Sequence, residues 1–206
     1  MIDLLLIGGG GHCKSCIDII EDENKFNIFG ILDNNLEIGS NVLGYKVIGS
    51  DNDLKNSKKL ANHAFITIGQ IKTSQTRREA FSHLQELGFI IPAIISKSSN
   101  VSEYCSISIG TIVMHSATVQ ASARVGENCI LNNHCLVEHD ASIGSNCHIS
   151  TNAIINGGVV IKENTFIGSG AIIKEGISIG KNVIVGAGSL ILKDIEDNQI
   201  ITGVHR

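Results

Sequence analysis

Residues 135–150 read CLVEHDASIGSNCHIS, so that Glu138, His139 and Asp140 stand side by side and His148 follows nine residues after His139. An imidazole next to a carboxylate is suited to general-base work near neutral pH. The ring accepts the proton, and the carboxylate fixes its tautomer and stabilises the imidazolium. A second candidate stands at the other end of the chain, in IGGGGHCKS, residues 7–15. Four glycines between an apolar run and a helical pattern let backbone amides approach a ligand closely, and the helix N-terminus behind them favours phosphate. Gly8 and Gly10 match the first two glycines of a G-x-G-x-x-G fingerprint, Cys13 takes the place of the third, and Asp33 lies where a ribose hydroxyl would be met. The loop therefore reads either as a nucleotide cradle or as a tight turn that packing demands.

The elements that hold these residues follow two rhythms. Every sixth residue from Val101 to Ile191 is aliphatic, without exception. Such a period belongs neither to a helix nor to plain strand alternation, and it marks a repeat. Four residues after each aliphatic stands a mostly small side chain, from Cys105, Thr111 and Ala117 to Ser189. Large and small inward residues in alternation suit a narrow prism of short parallel strands, with three hexapeptides to a coil and about five coils in all. Cys105, Cys129, Cys135 and Cys147 fall at the small inward position, where a thiol is a compact apolar filler. His139 and Asp140 then lie on the outward side or at a corner, and His148 at a corner of the same coil. His115 and His134 read as surface or interface residues.

The first half keeps no such beat. LLLIG, NIFGILDNN, HAFITIGQ and FIIPAII read as strands, and CKSCIDIIEDE and TRREAFSHLQELG as helices, the second closed by Gly88. Strand–helix alternation implies a small parallel sheet with helices packed against it. The change of rhythm at SKSSN places the boundary at residue 97, giving domains 1–97 and 98–206. Cys13 and Cys16 form a C-x-x-C with no second pair at zinc spacing, so packing of a short helix accounts for them. The histidines match no recognised metal site, and no metal is expected.

The formal net charge is −4, and the basic residues are scattered, which argues against nucleic acid or an anionic membrane as partner. No apolar run approaches the roughly 18 residues of a membrane span. The N-terminus lacks the basic flank of a signal peptide, so a cytoplasmic location with reduced thiols is expected.

Together the two halves resemble the bacterial nucleotide-sugar acetyltransferases of the bacillosamine N-acetyltransferase and sialic acid O-acetyltransferase-like family, within the hexapeptide-repeat acyltransferases. The resemblance rests on GGGGHCK, LDNN at 32–35, TIG at 67–69, VEHDASIG at 137–144, CHIS at 147–150 and VGAGSLILKDI near the end. It implies a left-handed parallel β-helix, assembled as a homotrimer with active sites between subunits, behind a Rossmann-like domain that binds the nucleotide sugar. It further implies acetyl-CoA as co-substrate and a UDP-linked 4-amino-4,6-dideoxy sugar as acceptor. By position, Gly10, Gly11, His12, Asp33, Asn34 and Gly69 would meet the sugar nucleotide, while His148, Ser169 and Ala187 would meet acetyl-CoA. His139 would be the base that takes the amine proton, assisted by Asp140. Two other acceptors stay open, a sialic acid-like hydroxyl and a GDP-linked amino sugar, as does a non-catalytic trimeric scaffold. The chain departs from the family at its end, IITGVHR, where the usual proline after the glycine is missing.

Overall fold

The computed structural model describes every residue except Lys72. It divides into two compact units, Met1–Gly69 with Gln75–Ile94, and Gln70–Ser74 with Ile95–Arg206. Sequence rhythm had set the boundary at residue 97 and kept residues 70–74 in the first half. The structure gives these five residues to the second unit, because the Gln70 side-chain amide donates to the Asn146 carbonyl and its own carbonyl meets His148.

In the first unit, β1 (Ile2–Ile7), β2 (Phe26–Leu32), β4 (Tyr45–Gly49) and β5 (His63–Ile66) run parallel, and β3 (Asn41–Val42) pairs antiparallel with β4. The strand order is β3-β4-β2-β1-β5. The central β1 is buried on both sides from Leu4 to Ile7, which is why it reads as an unbroken apolar run. Helix α1 (Gly11–Glu23) turns Cys13, Cys16, Ile17 and Ile20 inward at helical spacing and ends at Asn24, in the left-handed region at φ 57°. The single-turn α2 (Leu54–Ser57) follows β4, and α3 (Gln75–Glu86) closes the unit. The hairpin β3–β4 and α2 escape sequence reading, since neither carries a full period of its pattern. The FIIPAII segment differs from expectation as well. Ile90 makes only a single bridge to His63, and Ile94–Ile95 joins a sheet of the second unit. Pro92 in its middle has no N–H to give a ladder.

The second unit is a left-handed parallel β-helix whose two-residue strands stack on three faces. The first face runs from Asn100–Val101 through Leu136–Val137 to Val204–His205, and the second from Ser106–Ile107 to Ser178–Ile179. The third runs from Ile94–Ile95 through His148–Ile149 to Ile200–Ile201. Each strand pairs in parallel with its counterpart one coil on, as Thr118 with Leu136 and Leu136 with Ile154. Inside, Val137, Ile143, Ile149 and Ile155 alternate with Cys135, Ala141, Cys147 and Ala153, all buried. Each buried aliphatic contributes about 1.5–3 kcal/mol. Cys129, Cys135 and Cys147 are buried and Cys105 is half-buried against the same core, and burial pushes the Cys135 thiol up to about 12.

Corners supply the rest of the repeat. At most of them a residue takes the left-handed conformation, and these residues form columns: Gly110, Asn128, Asn146, Asn164 and Asn182; Ser116, His134, Asn152, Gly170 and Gly188; Ser122, Asp140, Gly158 and Gly176. Gly, Asn and Asp carry the lowest penalty there, and asparagines can extend the ladder through their side chains, as Asn128 does by donating to Asn146 at 2.9 Å.

Candidate active site

His139 and Asp140 form the turn that follows the strand Leu136–Val137, at the corner between the first and second faces. Asp140 is the left-handed residue of that corner, at φ 61°. Its carboxylate Oδ2 lies 2.8 Å from His139 Nδ1, and both side chains are 66% exposed. With Nδ1–H donating to Asp140, Nε2 carries the lone pair and is left as the proton acceptor. The hydrogen bond that Nδ1–H donates to Asp140 raises the imidazole pKa, slight desolvation opposes it, and the Asp140 and Glu138 charges add to the rise. The arrangement is one that suits a surface-held base with a carboxylate orienter.

His148 lies elsewhere than the corner expected of it. It opens a strand of the third face, between Ile130 and Phe166, and is only 6% exposed. Its Nδ1 meets the Gln70 carbonyl at 2.5 Å, its Nε2 lies 3.2 Å from Asn132 Nδ2, and its ring packs edge-on against Phe166. The repeat sets this strand position, directly before the inward Ile149 as Leu136 is before Val137, and the Gln70 carbonyl meets the ring there. Ser169 and Ala187 are exposed and stand in one column at the corner between the third and first faces. Ser169 Oγ is 2.9 Å from Ser150 Oγ. On one chain, then, His139 borders one edge of the first face, and Ser169 and Ala187 border the other.

The first-unit candidates gather at the carboxyl ends of β1, β2 and β5, where open parallel sheets bind ligands. The connection after β1 leads to β2 on one side, while β5 pairs on the other, so the glycine loop sits at the topological switch point. Its four glycines serve two purposes. A Cβ on Gly8, at φ +99°, would fall 2.5 Å from Ile68 Cγ1, and one on Gly9 would fall 2.5 Å from Leu36 Cδ1. Gly10 and Gly11 are exposed, and a Cβ on either would meet nothing within 4 Å. Gly69 is also exposed and lies against His12, whose Cβ would be 3.3 Å from a Cβ added at Gly69. The inner pair satisfies packing, and the outer pair with His12 and Gly69 lines an open surface at the head of α1.

Asp33 braces this loop. Its Oδ2 accepts from the Gly9 amide at 2.6 Å, and its Oδ1 accepts from the Asn35 and Leu36 amides at 2.7 and 2.9 Å. Burial by itself would raise its pKa, but the three amides outweigh it and hold the carboxyl below its ordinary value. Asn34 exchanges two hydrogen bonds with Asp51, through its side-chain amide to Oδ2 and its Oδ1 from the Asp51 amide. Sequence reasoning missed Asp51 and Arg77. Arg77 is 1% exposed and donates to the Ile66 and Ile68 carbonyls, pinning the chain that leads to Gly69. The signal for it was an arginine on the apolar stripe it shares with Phe81 and Leu84. Cys13 and Cys16 are buried in α1 with raised thiol pKa values, caused first by desolvation, as a packing role requires.

Among the described residues no cluster of His, Cys, Asp and Glu is placed to hold a metal ion, and no helix is long and apolar enough to cross a membrane.

Residues 3–84 match the family model of the PglD N-terminal domain, and residues 158–193 match that of the bacterial transferase hexapeptide, in six repeats. No curated protein matches the sequence. Similar solved structures include a histidine variant of perosamine N-acetyltransferase from Caulobacter crescentus in complex with CoA and GDP-perosamine. It is 27% identical over 98% of this chain and 93% of that one, at a TM-score of 0.91. The acetyltransferase domain of PglB from Neisseria gonorrhoeae in complex with acetyl coenzyme A is 29% identical, over 98% and 96% of the two chains, at a TM-score of 0.90. WeeI from Acinetobacter baumannii shares the fold, at 24% identity over 98% and 97% and a TM-score of 0.86.

Proposed function

We propose that this chain, whose residues 3–84 match the PglD N-terminal domain and 158–193 the bacterial transferase hexapeptide, transfers the acetyl group of acetyl-CoA to the amine of a nucleotide-linked 4-amino-4,6-dideoxy sugar. The observation that carries this reading is the exposed His139–Asp140 pair, whose Nε2 is the acceptor that acyl transfer to an amine requires. The amine nitrogen attacks the thioester carbonyl, the N–C bond forms, and the C–S bond breaks. The amine proton passes to His139 Nε2 and from there to the leaving CoA thiolate. Asp140 holds the ring and stabilises the imidazolium between the two transfers.

Gly10, Gly11, His12 and Gly69 are the residues to receive the nucleotide. The exposed loop and the amides at the head of α1 suit a diphosphate. Asp33 and Asn34 then act mainly by holding the loop and its neighbour Asp51 in place. A UDP sugar is the acceptor that the sequence resemblance through GGGGHCK and LDNN implies. A GDP-linked amino sugar is the second reading, favoured by the neighbour solved with GDP-perosamine.

Acetyl-CoA would lie along the corner of Ser169 and Ala187, where small exposed side chains leave room for a pantetheine arm. That corner and His139 flank opposite edges of the first face. Outward on this face stand Leu136, Ile154, Ile172, Leu190 and Val204, an apolar column with Ile172 and Val204 exposed. A homotrimer with first faces toward the threefold axis covers this column and brings His139 of one protomer to the Ser169–Ala187 edge of the next. The reading is tested by following free CoA thiol with acetyl-CoA and UDP- or GDP-4-amino sugars. Release with one of these nucleotides supports it, and no release with either contradicts it.

A further inference from the structure

We infer that Gly157 is a positioning residue, whose missing side chain is the space in which the His139 imidazole is held against Asp140; the functional consequence rests on the role proposed for His139. Gly157 stands one coil beyond His139 in the same corner column, and the two corners are tied by a hydrogen bond from the Gly158 amide to the His139 carbonyl at 3.0 Å. A Cβ built on Gly157 would fall 2.8 Å from Cε1 and 2.9 Å from Nε2 of the ring, and 3.4 Å from Nδ1. No real Cβ sits so close, so the ring lies where any side chain at 157 would have to go.

Two facts separate this from an ordinary demand for glycine. The backbone of Gly157 lies outside the left-handed region, so an L-residue meets no conformational penalty there, whereas its neighbour Gly158 is left-handed at φ +66°. The atoms that a Cβ would meet belong to an exposed side chain, which can swing aside. An alanine at 157 is therefore accommodated by rotation of His139, and that rotation takes Nδ1, which is bonded to the crowded Cε1, away from Asp140 Oδ2. Asp140 pulls the imidazole into place, and Gly157 leaves the place empty.

The test compares wild type, Gly157→Ala, Asp140→Asn and the double variant by NMR titration of the ring nitrogens of His139, with thermal melting and kcat/KM against pH alongside. Asp140 and Glu138 are the charged groups that raise the wild-type titration. In Gly157→Ala it should fall to lower pH, as it does in Asp140→Asn, and the double variant should add little, because both changes break one contact. The melting temperature should stay close to wild type, while kcat/KM drops by about 10²-fold, the scale of a misplaced catalytic group. Gly157→Ser, which also adds a Cβ, should reproduce the result. A wild-type titration in both Gly157 variants overturns the inference, and so does failure of both to fold, since displacing an exposed ring costs the fold little. The titration needs no substrate, so an inactive wild type would count against the proposed function and leave this inference to be decided by the NMR.

Discussion

The two units solve the same problem, placing polar groups on an apolar scaffold, by opposite means. In the β-helix a position one coil on has the same surroundings, so the columns of inward aliphatics, inward small residues and left-handed corners are set by the repeat. A residue that departs from its column then stands out, as His139 does among Ala121, Gly157 and Glu175. In the α/β unit no position repeats. Gly8 and Gly9 are held by packing and Gly10 and Gly11 by openness, although all four are the same residue in one run. Where structure is periodic, chemistry is legible as an exception to the period. Where it is not, one residue type can serve both purposes, and only contacts tell them apart.

The harshest way to break this comparison is to interrupt the inward column. Ile155→Asp places an unpaired carboxylate in a fully buried position, and the β-helix should fail to fold, giving insoluble protein or no cooperative melting transition. Removing the exception instead of the rule should leave the fold alone. His139→Ala should keep its melting temperature and lose about 10² to 10⁴-fold in kcat, the usual worth of a general base.

The glycine run offers a sharper division. Gly8→Ala combines a left-handed backbone with a contact to Ile68 and should cost about 2 kcal/mol or more, measured by urea unfolding. Gly10→Ala should unfold like wild type yet bind the nucleotide sugar at least about tenfold more weakly by calorimetry, because a methyl group then stands between the loop amides and a phosphate. Equal stability losses in the two variants would erase the distinction between inner and outer glycines.

The smallest effect concerns pH. Asp140 raises the His139 pKa, so in wild type the neutral base is lost as pH falls through that raised value. In Asp140→Asn the acid limb of kcat/KM should move to lower pH while the plateau falls, since the ring titrates more easily but is less well held. An unmoved limb would assign the titration to another group.

Most of the β-helix could be read from the sequence, because its inward positions recur with an aliphatic at each sixth residue. The corners were less legible: Asn128, Asn146, Asn164 and Asn182 form a visible column, but the same geometry at His134 and Asp140 hides behind residues with other uses. His148 stands on a strand and not at a corner because it directly precedes the inward Ile149, a position the period sets; its contact with Gln70, distant in sequence, carries no pattern. In the first unit, long apolar runs such as LLLI announced β1, while β3, β4 and α2 were too short to show a period. Of the candidate site, the His139–Asp140 pair was legible as neighbours in the chain. The contacts of Asp33 with the Gly9 amide, Asp51 with the Asn34 side chain and Arg77 with the Ile66 carbonyl were not, since none of them falls at a spacing that a helix or strand repeats.

Subunit complementation tests most directly the claim that the base and the acetyl-CoA edge come from different copies. Protomers carrying His139→Ala are co-expressed with protomers carrying Ala187→Trp, which blocks the other corner, each variant being inactive by itself. Random mixing gives about one site in four with both halves intact, so about a quarter of wild-type activity should return. Mixed oligomers that form but stay inactive would contradict a site shared between subunits.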